Sequence, residues 1–133
     1  MEKRDFSKLE NECQQKFLEA GKCFHVHSHE NHPVLFHTQE EFKAAMNAIA
    51  FVALLFPDII IYTFEIMENH FHFVISGGMS RITSFFKSLV SKLSTLPELE
   101  ESRSGITSLS FQQVPIESLD NLRNTIAYSN SAP

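Results

Sequence analysis

The stretch that most narrows the fold runs from Asp58 to Ser76. Two β-branched and aromatic runs, Asp58 to Met67 and His70 to Ser76, are separated only by Glu68-Asn69. Two such runs around a two-residue spacer predict an antiparallel hairpin, although the favoured Asn-Gly is absent. The turn fixes the register. Met67 opposes His70, Ile66 opposes Phe71 and Glu65 opposes His72. Side chains alternate between the faces of a strand. Phe71, Phe73, Ile75, Tyr62, Phe64 and Ile66 are therefore expected under helices, with Tyr62 facing the core. His70 and His72 share the other face with Thr63, Glu65 and Met67.

The flanking segments extend this unit. Cys23 to His29 alternates, with Phe24 and Val26 on one side and His25, His27 and His29 on the other. That is a strand pattern. Thr38-Gln39-Glu40-Glu41 is a capping box, and the helix behind it carries Phe42, Met46, Ile49, Val52, Ala53 and Phe56 on one face before Pro57 ends it. After Gly77-Gly78, residues Ile82, Phe85, Phe86, Leu89, Val90 and Leu93 mark an amphipathic helix. Pro97 to Gly105 reads as a loop and Thr107 to Ile116 as holding a fourth strand.

Helical spacing at each end adds one helix before the unit, Asp5 to Ala20, and one after it, from about Ser118 with Leu119, Leu122 and Ile126. The whole is expected to be a single α+β domain over residues 1–133. Its N-terminal helix falls within 1–22, a ferredoxin-like split βαβ core spans 23–116, and a last helix lies in 117–133. The expected sheet is antiparallel in order 4-1-3-2, with helices on one face.

Composition excludes several classes. The 133 residues are enough for one domain with a real core. The longest apolar region, Ala44 to Phe64, is broken by Asn47 and Pro57-Asp58, and no signal peptide is evident. No membrane role is expected, and a cytoplasmic location is the default. Cys13 and Cys23 do not make a disulfide framework or a zinc knuckle. The net charge of −5 argues mildly against a nonspecific nucleic-acid coat. Between Met79 and Leu96, however, the charges are Arg81, Lys87 and Lys92, all positive. These three are the expected phosphate contacts.

Two same-face imidazoles on a strand can coordinate a divalent ion, and a carboxylate would complete a triad with open positions. Glu65, across from His72, is the candidate third ligand, with His25, His27 or water as the other choices. Solvent-facing histidines on an uncovered sheet face would account for the same pattern. In the last helix Tyr128 lies off the apolar stripe, in line with Asn121, Asn124 and Thr125. A phenol of pKa about 10 is a poor nucleophile unless its electrophile is polarised.

Met67-Glu68-Asn69-His70-Phe71-His72-Phe73-Val74-Ile75 resembles the M-x-N-H-x-H signature of the insertion-sequence (IS200-like) and REP-associated tyrosine transposases, enzymes of the HUH class. Phe24-His25-Val26, Phe36 with Gln39 to Phe42, and Ile126-Ala127-Tyr128 are similar to their flanking segments. The resemblance covers roughly Cys23 to Pro133. It implies DNA transposition chemistry, in which single-stranded, hairpin-forming DNA is bound, cut and rejoined by a dimer. His70 and His72 would hold Mg²⁺ or Mn²⁺, and Tyr128 would be the nucleophile. Ala132 stands where the family commonly has an amide ligand, and Pro133 where its chains normally continue, so a truncated tyrosine helix is expected. The alternatives are a catalytically silent hairpin-binding module of the same fold and a ferredoxin-like dimerising or regulatory domain.

Overall fold

A computed structural model describes residues 23–116 and, beyond them, Asn124. The expected N-terminal helix and the tyrosine helix, with Tyr128 and Ala132, lie outside the described residues. The elements are β1 (Cys23–Ser28), α1 (Gln39–Leu54), β2 (Ile60–Ile66), β3 (Phe71–Ser76), α2 (Met79–Thr95), a 3-10 segment (Pro97–Ser102), α3 (Arg103–Thr107) and β4 (Phe111–Ile116). The four strands form one antiparallel sheet in order β2-β3-β1-β4, the order expected from the sequence. The described residues form an α+β, ferredoxin-like fold.

The hairpin forms at the expected turn. Met67 N–H donates to His70 O at 2.8 Å, and Ile66, Glu65 and Phe64 pair with Phe71, His72 and Phe73. The alternation fails at Tyr62, where the register shifts between Ile61 and Thr63. A bulge inserts one unpaired residue and breaks the two-residue period. Tyr62 is that residue. It is 37% exposed rather than core-facing, and its hydroxyl accepts from Ser76 Oγ at 3.4 Å.

The helices bury one sheet face. From α2, Ile82, Phe85, Phe86, Leu89 and Leu93 are buried against Phe71, Phe73 and Ile75. Phe73 and Phe86 meet edge to face with ring centroids 5.0 Å apart, a favoured aromatic geometry. The buried stripe of α1 is Ala44, Ala45, Ala48, Ile49 and Val52, and Met46 faces out. The capping box is present: Glu41 N–H donates to Thr38 Oγ1 at 3.2 Å, and the Glu41 carboxylate accepts from His37 N–H at 3.1 Å. The segment expected as a loop, Pro97 to Gly105, is a 3-10 turn and the start of α3. Leu99 and Ile106 are buried there, and Ser102 Oγ donates to Leu35 O at 2.6 Å.

Candidate metal centre

β1 and β3 lie side by side with His27 opposite His72. That register sets His25, His27, His70 and His72 on the sheet face opposite the helices. His25 and His72 rings lie nearly parallel with centroids 5.4 Å apart, and His70 meets His72 edge-on at 4.9 Å. His29 does not join them. β1 ends at Ser28, and His29 Nδ1 instead accepts from Asn31 N–H at 3.1 Å.

This face is not a solvated one at the cluster. His72 is only 5% exposed, and Val74 and Ser76 beside it are buried. Burial of an ionisable side chain outside the apolar core needs a partner. A row of solvent-facing histidines therefore does not describe His72.

Extending the β1–β3 register beyond the strands sets Glu30 opposite Asn69. One ligand atom each from Glu30, His70 and His72 lies within 4.8 Å of the others. Glu65 is the cross-strand partner of His72, as expected, but it stands outside that group. Its charge still acts on His70, and its Oε2 is buried without a hydrogen-bond partner among the described residues. Buried polar atoms are seldom left so.

Asn69 organises the group. Its amide nitrogen donates to Glu30 O at 2.7 Å and His32 O at 3.0 Å. With the NH₂ committed, Oδ1 faces His70 Nδ1 at 2.7 Å and can only accept. His70 therefore carries its proton on Nδ1 and directs a free Nε2 lone pair away from the turn. The turn is itself tied to the segment after β1, because Leu35 and Phe36 N–H both donate to Glu68 O, at 2.7 and 3.0 Å.

Burial lowers the His72 pKa to about 4, helped by His70, His25 and His27 and opposed by Glu30. His70 and His25 are lowered as well, chiefly by burial. All three shifts favour the neutral imidazole, the state a metal ligand requires. Two imidazoles and a carboxylate, with an orphaned carboxylate oxygen nearby, fit a divalent cation. The mixed nitrogen and oxygen set suits Mn²⁺ better than Mg²⁺, which prefers oxygen donors.

Neither a protein-family model nor a curated protein matches the sequence. Among solved structures, that of a REP-associated tyrosine transposase bound to a REP hairpin superposes with a TM-score of 0.56 at 15% identity. The likeness is one of fold. It covers 83% of this chain and 64% of the transposase chain, less than two thirds of the latter's length.

The expected DNA-contacting residues lie elsewhere. Arg81, Lys87 and Lys92 are all on α2, with the sheet between that helix and the imidazoles. Arg81 makes a two-point pair with Asp58, at 2.8 and 3.0 Å, and its guanidinium sits 4.7 Å from the Phe56 ring. Lys92 Nζ stands 4.4 Å from the Phe51 ring centroid. Lys87 lines a groove between α1 and α2. Among the described residues, no helix is long and apolar enough to cross a membrane.

Glu30 was not reached from the sequence. Its signal is the β1–β3 register, and only the register of the β2–β3 hairpin can be read from its turn.

Proposed function

We propose that this chain is a transposase-like protein of the HUH tyrosine class, which binds hairpin-forming single-stranded DNA and cuts and rejoins it. The observation that carries the reading is the Glu30–His70–His72 group, set on the sheet face opposite the helices of a fold shared with a hairpin-bound tyrosine transposase.

His70 and His72 would hold the cation through imidazole nitrogens, and the Glu30 carboxylate would take the place of the amide ligand that Ala132 cannot supply. Glu65 adds negative charge beside His70. When bound, Mn²⁺ or Mg²⁺ supplies Lewis-acid polarisation of the scissile phosphate. Tyr128 is the nucleophile. Its Oη forms a bond to phosphorus as the P–O3′ bond breaks, and the phenol proton ends, net, on the leaving 3′-hydroxyl. The product is a 5′-phosphotyrosine link that a 3′-hydroxyl can later reverse. A homodimer in the cytoplasm belongs to the same reading.

The experiment is incubation with hairpin oligonucleotides and Mn²⁺, followed by a search for a covalent adduct. Tyr128→Phe is expected to abolish the adduct while retaining hairpin binding. Wild-type protein that binds the hairpin but forms no adduct would instead be the silent binding module, a reading favoured by Ala132. Wild-type protein without DNA affinity would count against both.

A further inference from the structure

His72 has a further imidazole neighbour in His25, on its Nδ1. His25 Nε2 lies 3.2 Å from His72 Nδ1, and the two ring planes are nearly parallel, 7° apart, as suits an in-plane N–H···N bond. One proton serves this contact, and its owner decides what His72 can do. A neutral imidazole has one N–H and one lone pair. If His25 Nε2–H donates, His72 carries its proton on Nε2 and has no lone pair free for a cation. If His72 Nδ1–H donates, Nε2 is free.

We infer that His25 is a positioning residue, whose Nε2 accepts the Nδ1 proton of His72 and so holds Nε2 of His72 as the ligand atom. The inference rests on the metal reading of the site. It gives His72 what Asn69 Oδ1 gives His70, an acceptor on Nδ1 that leaves Nε2 free. Such acceptors orient the ring and raise the basicity of the ligand. Here the acceptor is an imidazole instead of the more usual carboxylate or backbone carbonyl.

Two substitutions separate positioning from packing. His25→Phe keeps a flat ring against His72 but removes the acceptor. His25→Gln gives up the ring and brings a side-chain oxygen near the place of Nε2. Mn²⁺ affinity is measured by titration of the free-ion electron paramagnetic resonance signal, without DNA. His25→Phe is expected to weaken binding roughly 10- to 100-fold, and His25→Gln to recover most of that loss. Nitrogen-15 imidazole spectra of the Zn²⁺-loaded wild type are expected to show His72 protonated at Nδ1.

Equal affinity in wild type and both variants would overturn the role. So would equal losses in both variants, which would make His25 a packing residue. Wild-type protein that binds neither Mn²⁺ nor Zn²⁺ would remove the metal reading itself, and this role with it.

Discussion

At the scale of single residues, two carboxylates compete for one role. Glu30 stands with His70 and His72, whereas Glu65 pairs with His72 across the strands and carries an unpartnered buried oxygen. Direct ligation by Glu30 makes Glu30→Gln the more damaging change, with Mn²⁺ affinity expected to fall at least about 10-fold. Glu65→Ala should cost less, since its charge acts from outside the group. Calorimetric titration of both variants checks the ranking, and the reverse order would return Glu65 to the ligand position. The imidazoles also make stability pH-dependent. Unfolded His72 takes up a proton near pH 6.5, but the folded side chain does so only near pH 4. Below pH 6.5 the unfolded state therefore binds more protons, and stability falls as pH drops towards 4. His25 and His70 act in the same direction. The loss from His72 alone is on the order of 3 kcal/mol. Urea melts at pH 7.5 and 4.5, with a chelator present, should differ by that order, and equal midpoints would refute the shift.

At the scale of elements, the hairpin was legible because two residues between two strand-like runs leave little freedom of register. Its bulge was not legible. Nothing in Ile61-Tyr62-Thr63 marks an inserted residue, so strict alternation put Tyr62 in the core. The face of α1 was misread at Met46 for a different reason. Its buried stripe is built largely on Ala44, Ala45 and Ala48, which a search for large apolar side chains passes over. The exit from β3 is the tightest joint. Gly77 has φ +147°, and a Cβ there would meet Ile59 Cγ2 at 2.9 Å. Both the backbone angle and the space exclude a side chain. Gly77→Ala is expected to destabilise the fold by about 1–3 kcal/mol, read from denaturant midpoints. Gly78→Ala, which meets only Arg81 Cγ at 3.8 Å, should cost much less.

At the scale of the whole molecule, the sheet separates two sets of charged side chains. Arg81, Lys87 and Lys92 ride on the helical side, and the imidazoles face the other way. Phosphates bound by the basic residues would therefore belong to a different part of the DNA from the one at the cation site. Neutralising all three should weaken hairpin binding for every sequence alike, and lower the salt slope by roughly 0.7 per lost single-strand contact. The cleavage position should stay unchanged. Arg81 is already paired with Asp58, so it is expected to contribute least of the three. An unchanged salt slope in the triple variant would move the phosphate contacts to other residues. This separation was hidden in the sequence, where the basic strip follows the histidines by only a few residues.

Glu30 and the His70–His72 pair are forty residues apart in the chain, and Asn69 ties one to the other through a main-chain oxygen. A cation between them would fasten the end of one strand to the turn of a distant hairpin, a grip the unfolded chain does not offer. Occupancy is therefore coupled to folding by mass action, by about 2.7 kcal/mol at a free-ion concentration a hundred times Kd. The same ion that would prepare a phosphate for attack would also act as a staple. Protein stripped of metal would then loosen the turn after β1 while β1 itself, with Phe24 and Val26 in the core, stayed in place.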